Sequence, residues 1–545
     1  MLEKGAVYMG YINVYTRQEC ELYPRSLADS VHLSYSNDGI NDLPLNQNYG
    51  ILFARAAIRQ NNTIEERGII NPVVFCMDEI YGIAAQCVNA EGDIVEPDKI
   101  LLWTTADFIS FKEHNLVECS GYEDYLASGS DKIEVPDESG ELICKAWLPI
   151  HAVDVAFQKE IELRHLEDLD SITADVLYSD GTIDKKRVSW NLDKAVLVGR
   201  NKYAVTGEIL KNEYKFPMAV GYADPVIFKW DNSWYFLATN DNRKSIGLYV
   251  RKADSVDALF LKETQEYCIL DYDEEHDFVQ TFWAPEFHVI GKDLYILFAV
   301  GGRKQGPQAH MMRLKSGGSI INPADWDLPV RVCRRDGSWL TDEGITIDMT
   351  YFKVKEQSYL LWNCRKGFGT PLDTGGILFI AAVDDNKPWI LASDPVELSR
   401  SVYGWENNSG TLNNEGPYPL LLHDSLYISY SGGAATGYTY AVGFLRISME
   451  EDLLDPSKWE KISTAVLSSS SIDGIQGPGH NSFFVDDDGK IMVVYHAQER
   501  EKYFTRCTMM HRVHINKYNF PVLNMSAERD LPEELRLITI EVTIK

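Results

Sequence analysis

The sequence predicts an all-β protein whose main body is a five-bladed β-propeller, flanked by an N-terminal β-rich, partly propeller-like region and a small β-sandwich. Three observations carry this expectation. First, Ala223-Asp224-Pro225 opens an apolar run through Val226, Ile227 and Phe228, turns at Asp231-Asn232 and returns as Trp234-Tyr235-Phe236-Leu237, the pattern of a β-hairpin. Second, the pattern recurs four times, led by Ala284-Pro285-Glu286, Asp348-Met349-Thr350, Glu415-Gly416-Pro417 and Gly479-His480-Asn481. The copies begin about 60 to 67 residues apart, which leaves each unit room for the four strands of a blade. Third, helical periodicity is weak, with residues 449–453 and 532–535 short turns at most.

Taken in order, residues 1–143 form an N-terminal accessory region with strand patterns such as Tyr8-Met9-Gly10-Tyr11-Ile12-Asn13-Val14-Tyr15 and Leu101-Leu102-Trp103-Thr104. Within it Asn71-Pro72-Val73-Val74-Phe75 echoes the opening stretch, with Asn71 where Asp224 stands. An amide does not take up a proton as a carboxylate does, so a blade built on Asn71 is non-catalytic. A partial propeller and a separate β-rich domain both fit this region. Residues 144–215 carry short strands at close spacing around Ser179-Asp180-Gly181-Thr182, a sandwich pattern that resembles immunoglobulin-like modules. Residues 216–522 hold the five repeats. In residues 523–545, Ile538, Ile540, Val542 and Ile544 alternate with polar residues; a lone strand is unstable, so this one is expected to return and complete the sandwich.

Bulk properties narrow the function. A chain of 545 residues is too long for one ordinary core, and 45% hydrophobic with 24% charged residues is the balance of a folded globular protein. The formal charge of −29 argues against nucleic acid or an anionic membrane as partner. A neutral or cationic ligand is expected, and the 29 Tyr and 12 Trp fit strand-rich structure, which accounts for most of them, and are also what sugar-binding surfaces use. No apolar run is long enough to span a bilayer, and Met1-Leu2-Glu3-Lys4-Gly5 lacks the layout of a signal peptide. The cysteines at 20, 76, 87, 119, 144, 268, 333, 364 and 507 are scattered, without metal-site spacing. They read as free thiols in a reducing cytoplasm, which is the expected location.

The chemistry is expected at Asp224, Asp348 and Glu415, each at the mouth of an otherwise apolar strand. A charge there is costly unless it serves a site. Ala223-Asp224-Pro225, Phe282-Trp283-Ala284-Pro285-Glu286, Ile347-Asp348-Met349-Thr350, Asn414-Glu415-Gly416-Pro417-Tyr418 and Gly477-Pro478-Gly479-His480-Asn481 with Tyr495-His496-Ala497 together resemble glycoside hydrolase family 43, from about residue 219 to 522. The resemblance implies a five-bladed propeller that removes terminal α-L-arabinofuranosyl or β-D-xylosyl units with inversion. It gives Asp224 the place of the general base, Glu415 that of the general acid, and Asp348 that of the carboxylate that orients the acid and tunes its pKa. Glycoside cleavage needs such a pair, one carboxyl protonated and one ionised.

Further candidates follow. Trp283, Phe282, Trp405 and Tyr418 are read as sugar-stacking aromatics with propeller core as the competing role, and Arg506 as a donor to substrate hydroxyls. Glu286 is read as structural. No cofactor is required. His480 fits a core histidine, an active-site hydrogen-bond donor, or a ligand to a structural calcium, as the matching histidine is in parts of the family. The expected partner is an arabinose- or xylose-containing oligosaccharide, under loops at residues 271–280, 367–376 and 401–413. A non-catalytic sugar-binding propeller is the alternative of another class, and a retaining fructosidase-like hydrolase lacks its expected Asn-Asp-Pro-Asn and Arg-Asp-Pro motifs.

Overall fold

The computed structural model describes residues 9–408, 410–499 and 505–545. Tyr8, expected in the first strand, and Ser409, in an expected loop, lie outside them. The described chain is nearly all β. Five four-stranded antiparallel sheets follow one another, opening with the strands Tyr222–Trp230, Gln280–Ile290, Ile345–Val354, Asn414–Leu422 and Gln476–Val485. Each opening strand touches the opening strands of the sheets before and after it, and that of the fifth touches that of the first. The fifth sheet takes its fourth strand from the start of the array, where Ala219 and Val220 pair with Thr508 and Cys507. Asp231 and Asn232, both with positive φ (46° and 60°), make the tight turn of the first hairpin, a conformation Asp and Asn tolerate well.

The hydrophobic cores lie between sheets. Val226, Leu237 and Phe287 belong to the cluster joining the first and second sheets, Leu297, Met349 and Leu360 to the next, and Leu361, Ile380 and Ile428 to that of the third and fourth. Tyr427, Val493 and Tyr495 join the fourth and fifth, and Ile227, Phe236 and Val494 join the fifth back to the first. The aromatic and β-branched residues that alternate along each strand fill these seams from both sides.

One backbone feature repeats on every opening strand. The pairing register breaks between Ala223 and Val226, Trp283 and Glu286, Ile347 and Thr350, Glu415 and Tyr418, and Gly479 and Ser482. Within each break one residue adopts a positive φ: Asp224 (52°), Ala284 (46°), Asp348 (55°), Gly416 (55°) and His480 (45°). This is a β-bulge, which bends the strand and re-aims its side chains. Asn71 has the same backbone, with φ 51° between Ile70 and Val73, so the echo noted in the sequence extends to the bulge.

The N-terminal region holds two four-stranded sheets, one running Lys132–Pro136, Met9–Tyr15, His32–Ser36, Leu43–Pro44 and the other Gly68–Met77, Ile80–Val88, Lys99–Thr105, Lys112–Glu118. Its Tyr23, Leu27, Tyr49 and Phe53 enter the core between the third and fourth sheets of the ring. The helix Asp137–Trp147 follows, with Asp137 and Glu138 in its first turn and Ile143 buried. The expected boundary at 143/144 would cut through it; its short amphipathic stripe is too brief to stand out among strand patterns.

The next unit is a seven-stranded arrangement in the order Ala152–Ala156, Thr173–Tyr178, Ile183–Trp190, Lys202–Ile209, Leu537–Ile544, Glu160–Leu163, with Val196–Gly199 also on Lys202–Ile209. A buried ionic cluster ties it to the fifth sheet. Lys186 Nζ lies 2.7 Å and Arg512 Nε 3.1 Å from the Asp530 carboxylate, and the Tyr178 hydroxyl donates to Asp530 Oδ1 at 2.7 Å. Arg512 also pairs with Asp184. It ends the strand Arg506–Arg512, whose first residue reaches the site described below.

Deleting residues 537–545 removes a strand paired on both sides, with Ile538, Ile540 and Val542 buried. Each buried aliphatic side chain contributes roughly 1.5–3 kcal/mol, a sum that rivals the stability margin of a domain, about 5–15 kcal/mol. Limited proteolysis of the truncated chain is expected to cut within residues 150–210; protection equal to that of the full chain would contradict the pairing.

Candidate active site

The bulges carry the site. Because the opening strands touch in a ring, the turned residues of different sheets meet although they are far apart in sequence. Asp224 is buried, and its carboxylate faces a hydroxyl, two imidazoles and a guanidinium. The Thr239 hydroxyl donates to Oδ2 at 2.5 Å, while His480 Nδ1 and His496 Nδ1 stand 3.2 Å and Arg506 Nη1 3.4 Å from Oδ1. The Asp224 backbone N–H donates to His496 Nδ1 at 3.2 Å and His496 Nε2 lies 3.0 Å from the Ala435 carbonyl, which assigns His496 the Nε2–H tautomer. Burial acts to raise the Asp224 pKa. His480, Arg506 and His496 outweigh it, and the carboxyl is held well below the ordinary carboxylate range. Burial pushes the His480 ring down to about 4, so the fixed positive charge of this cluster is Arg506.

Glu415 sits in the opposite kind of environment. It is buried, its Oε1 accepts from the Tyr440 hydroxyl at 2.8 Å, and its Oε2 accepts from Asn413 Nδ2. Burial is the largest influence on its pKa and Asp224 adds to it; Tyr440, Arg365 and Arg506 pull the other way, and the result is a rise to about 7. Asp348 is also buried and pushed up, by desolvation first and then by the charges of Glu415 and Asp224, against the Gly416 N–H that donates to its Oδ2 at 3.0 Å. Asp348 and Glu415 titrate as a pair. The like charge that acts on Glu415 is that of Asp224, not of Asp348, and burial does more.

Short contacts link the three acids. Tyr440, on Glu415, stacks its ring on His496 with centroids 5.5 Å apart, and His496 lies against Asp224. On the other side Gly416, which holds Asp348, packs under His480: a Cβ at this position would lie 2.8 Å from the His480 ring. With φ 55° as well, only glycine fits there.

The remaining candidates divide. Trp283 is half-buried and occupies the place just before its bulge that Glu415 occupies before its own, level with the acid. Phe282 and Trp405 are corrected to core. Phe282 is fully buried in the seam between the first and second sheets. Trp405 is fully buried beside Tyr430, with its Nε1 donating to the Ser463 carbonyl at 3.0 Å. Tyr418 lies two residues further along its strand than Gly416, packed against His288 and Phe483. Beside it Glu286 pairs with His288 at 2.7 Å, the structural role expected of that acid. Arg506, expected as a donor to substrate hydroxyls, is engaged twice by Asp241, at 3.0 and 2.8 Å, and once by Asp224.

Calcium at His480 does not fit the donors around it. Hard cations take six or more oxygens, whereas His480 faces one carboxylate that already has Arg506 beside it. Among the described residues no group of three or more His, Cys, Asp or Glu is placed to hold a metal ion.

Sequence reasoning assigned no role to Thr239, Asp241, Arg365, Asn413, Tyr440 or His496. Thr239, Asn413 and Tyr440 lie outside the motif at the head of each repeat; His496 lay within a quoted motif and carried the one available signal.

A buried carboxylate beside a guanidinium and a buried carboxyl with a raised pKa, on a ring of β-sheets, are suited to acid–base chemistry of the kind glycoside hydrolases use. Residues 214–521, more than half of the chain, match glycosyl hydrolases family 43, and the chain belongs to that family. An extracellular exo-α-(1→5)-L-arabinofuranosidase of Streptomyces avermitilis is 33% identical over 282 residues, 51% of this chain and 55% of that protein. One of the same name from Streptomyces chartreusis is 30% identical, over 52% of this chain and 83% of that protein. The solved α-L-arabinofuranosidase of Lactobacillus brevis aligns with 57% of this chain and 95% of its own at 28% identity and a TM-score of 0.49. The chain spans about half the length of the first of these relatives. Two of them are named extracellular, which corrects the expected cytoplasmic location. The nine cysteines form no disulfide, which by itself fixes no compartment.

Two outcomes follow from the geometry. Gly416→Ala is expected to push His480 off Asp224 and lower kcat at least tenfold, since displacements of about 1 Å cost up to a hundredfold, with the circular dichroism spectrum unchanged. The Glu415 pKa is raised in the folded state, so its stabilisation is complete below about 4.5 and is lost as pH rises through about 7. Glu415→Gln, which never ionises, is therefore expected to gain in Tm relative to wild type between pH 5 and pH 9; an equal difference at both would contradict the raised pKa.

Proposed function

We propose that this chain is an exo-acting glycoside hydrolase that releases terminal α-L-arabinofuranosyl residues from oligosaccharides with inversion of configuration. The observation that carries this reading is the pairing of opposite environments: Asp224, depressed beside Arg506, and Glu415, raised by burial to about 7. Near neutral pH one carboxyl then accepts a proton and the other donates one. In this mechanism Asp224 takes a proton from a water poised at the anomeric carbon. Glu415 delivers its proton to the leaving oxygen as the glycosidic bond breaks, and Asp348, fixed by the Gly416 N–H, takes the orienting place beside it. Trp283 supplies a face for the sugar, and Thr239 and His480 hold the base in position.

The sugar specificity rests on the names of the relatives, which favour arabinofuranosyl over xylosyl units. Inversion requires space for a water between the two carboxyls, roughly 6.5–9.5 Å. The ring of five sheets is read as a five-bladed propeller forming the catalytic domain, and the seven-stranded unit as an immunoglobulin-like sandwich completed by the C-terminal strand. Retention of all three acids favours an enzyme over a sugar-binding propeller.

Nitrophenyl α-L-arabinofuranoside is expected to be hydrolysed in preference to nitrophenyl β-D-xyloside, and proton NMR to show the inverted anomer first. Asp224→Asn and Glu415→Gln are each expected to lose at least about a hundredfold in kcat while keeping the fold. Either variant retaining a tenth of wild-type activity, or a first product of retained configuration, would refute the assignment. Activity is expected to fall as pH rises past about 7, where Glu415 loses its proton, and to persist on the acid side because Asp224 stays ionised there.

A further inference from the structure

We infer that the loop at residues 366–376, with Phe368 as its stacking face, is the subsite for the sugar that carries the leaving oxygen, and that the N-terminal region sets the shape of this subsite. The inference rests on the reading of Glu415 as the acid. A proton donor must stand at the leaving oxygen, so the remainder of the substrate lies on the Glu415 side of the pocket.

On that side the charge of Arg365 acts on Glu415. Its guanidinium is clamped by Asp373, Nε to Oδ1 at 2.8 Å and Nη2 to Oδ2 at 2.7 Å, and lies 4.4 Å from the centre of the Phe368 ring. The guanidinium whose charge reaches the acid thus carries an aromatic ring. That ring is 65% exposed, and Leu372 on the same loop is 61% exposed. The loop is not loose chain: Thr370 N–H bonds the Gly367 carbonyl at 2.9 Å and Asp373 N–H the Thr370 carbonyl at 3.1 Å. Two large apolar side chains are therefore held out into water beside a polar site. Arg365 covers one face of Phe368 and leaves the other for the C–H face of a sugar.

The far end of the loop is braced from the N-terminal region. At the hairpin of Ala57–Ile58 with Ile64–Glu65, Asn62 accepts from the buried Arg400 through its side chain at 2.7 Å and its carbonyl at 3.0 Å, and Arg400 Nη2 also donates to the Thr374 carbonyl at 3.2 Å. Ile64 Cδ1 lies 3.4 Å from where a Cβ on Gly375 would stand. Gly376 N–H then bonds the Leu412 carbonyl at 3.2 Å, next to the Asn413 that donates to Glu415. Asn62 is a positioning residue acting through Arg400 and Thr374.

The test compares kcat/KM of the full chain on an α-linked arabinofuranosyl trisaccharide with that on nitrophenyl α-L-arabinofuranoside, which has no second sugar. Phe368→Ala is expected to lower the trisaccharide-to-aryl ratio about tenfold, the worth of one aromatic contact, chiefly through KM. Asn62→Gly, which removes the side-chain acceptor and keeps the left-handed backbone (φ 67°), is expected to lower the same ratio by a smaller factor; loss of stability alone would lower both rates together. A ratio within twofold of wild type in active Phe368→Ala overturns the subsite. A ratio lowered by Phe368→Ala but not by Asn62→Gly overturns the N-terminal share. A wild-type chain that releases arabinose from neither substrate overturns the reading of Glu415 on which the subsite stands.

Discussion

The left-handed residue in the bulge of each opening strand is the constraint on which the site depends. A regular strand sends alternate side chains to opposite faces, and nothing in that alternation would gather acids from three sheets. The bulge breaks the alternation at the same point in every sheet, and the ring of touching strands places those points together. Left-handed backbone is unfavourable for most side chains, at of order 1–3 kcal/mol each. Asp tolerates it better than most, and Asp224 and Asp348 are two of the five residues there. Gly416 takes the same position in the fourth sheet, which shifts its acid one place back to Glu415.

The surroundings, not the place on the bulge, separate the chemistry of the acids, since Asp348 shares the position of Asp224 and is raised. Asp224 lies among donors and a fixed cation, and it stays charged. Glu415 accepts only neutral donors, from Tyr440 and Asn413, and burial favours its neutral form. Two buried carboxyls in one pocket thus differ in affinity for a proton because of the groups around them and not because Glu and Asp differ much in water.

Much of this was legible in the sequence. The repeat with its Asp-Pro, Asp-Met and Glu-Gly-Pro openings gives both the sheets and the acids, since a charge that leads an apolar strand is costly without a purpose. The aromatic side chains were not legible in the same way. Trp283, Phe282 and Trp405 look alike as sequence, and only the register break next to Trp283 distinguishes a ring at the pocket from rings in a seam. Thr239, Asn413 and Tyr440 lie outside the repeat motif, and their roles follow from the closing of the ring, which no local pattern encodes. The helix Asp137–Trp147 was hidden by brevity, and the cysteines carried less information on location than the names of relatives.

The strand Arg506–Arg512 is gripped at both ends, by Asp241 and Asp224 at one and by Asp530 and Asp184 at the other. It runs between the seven-stranded unit and the Asp224 carboxylate. A unit that contributes none of the three acids is thereby joined to the strand whose first residue pairs with Asp224.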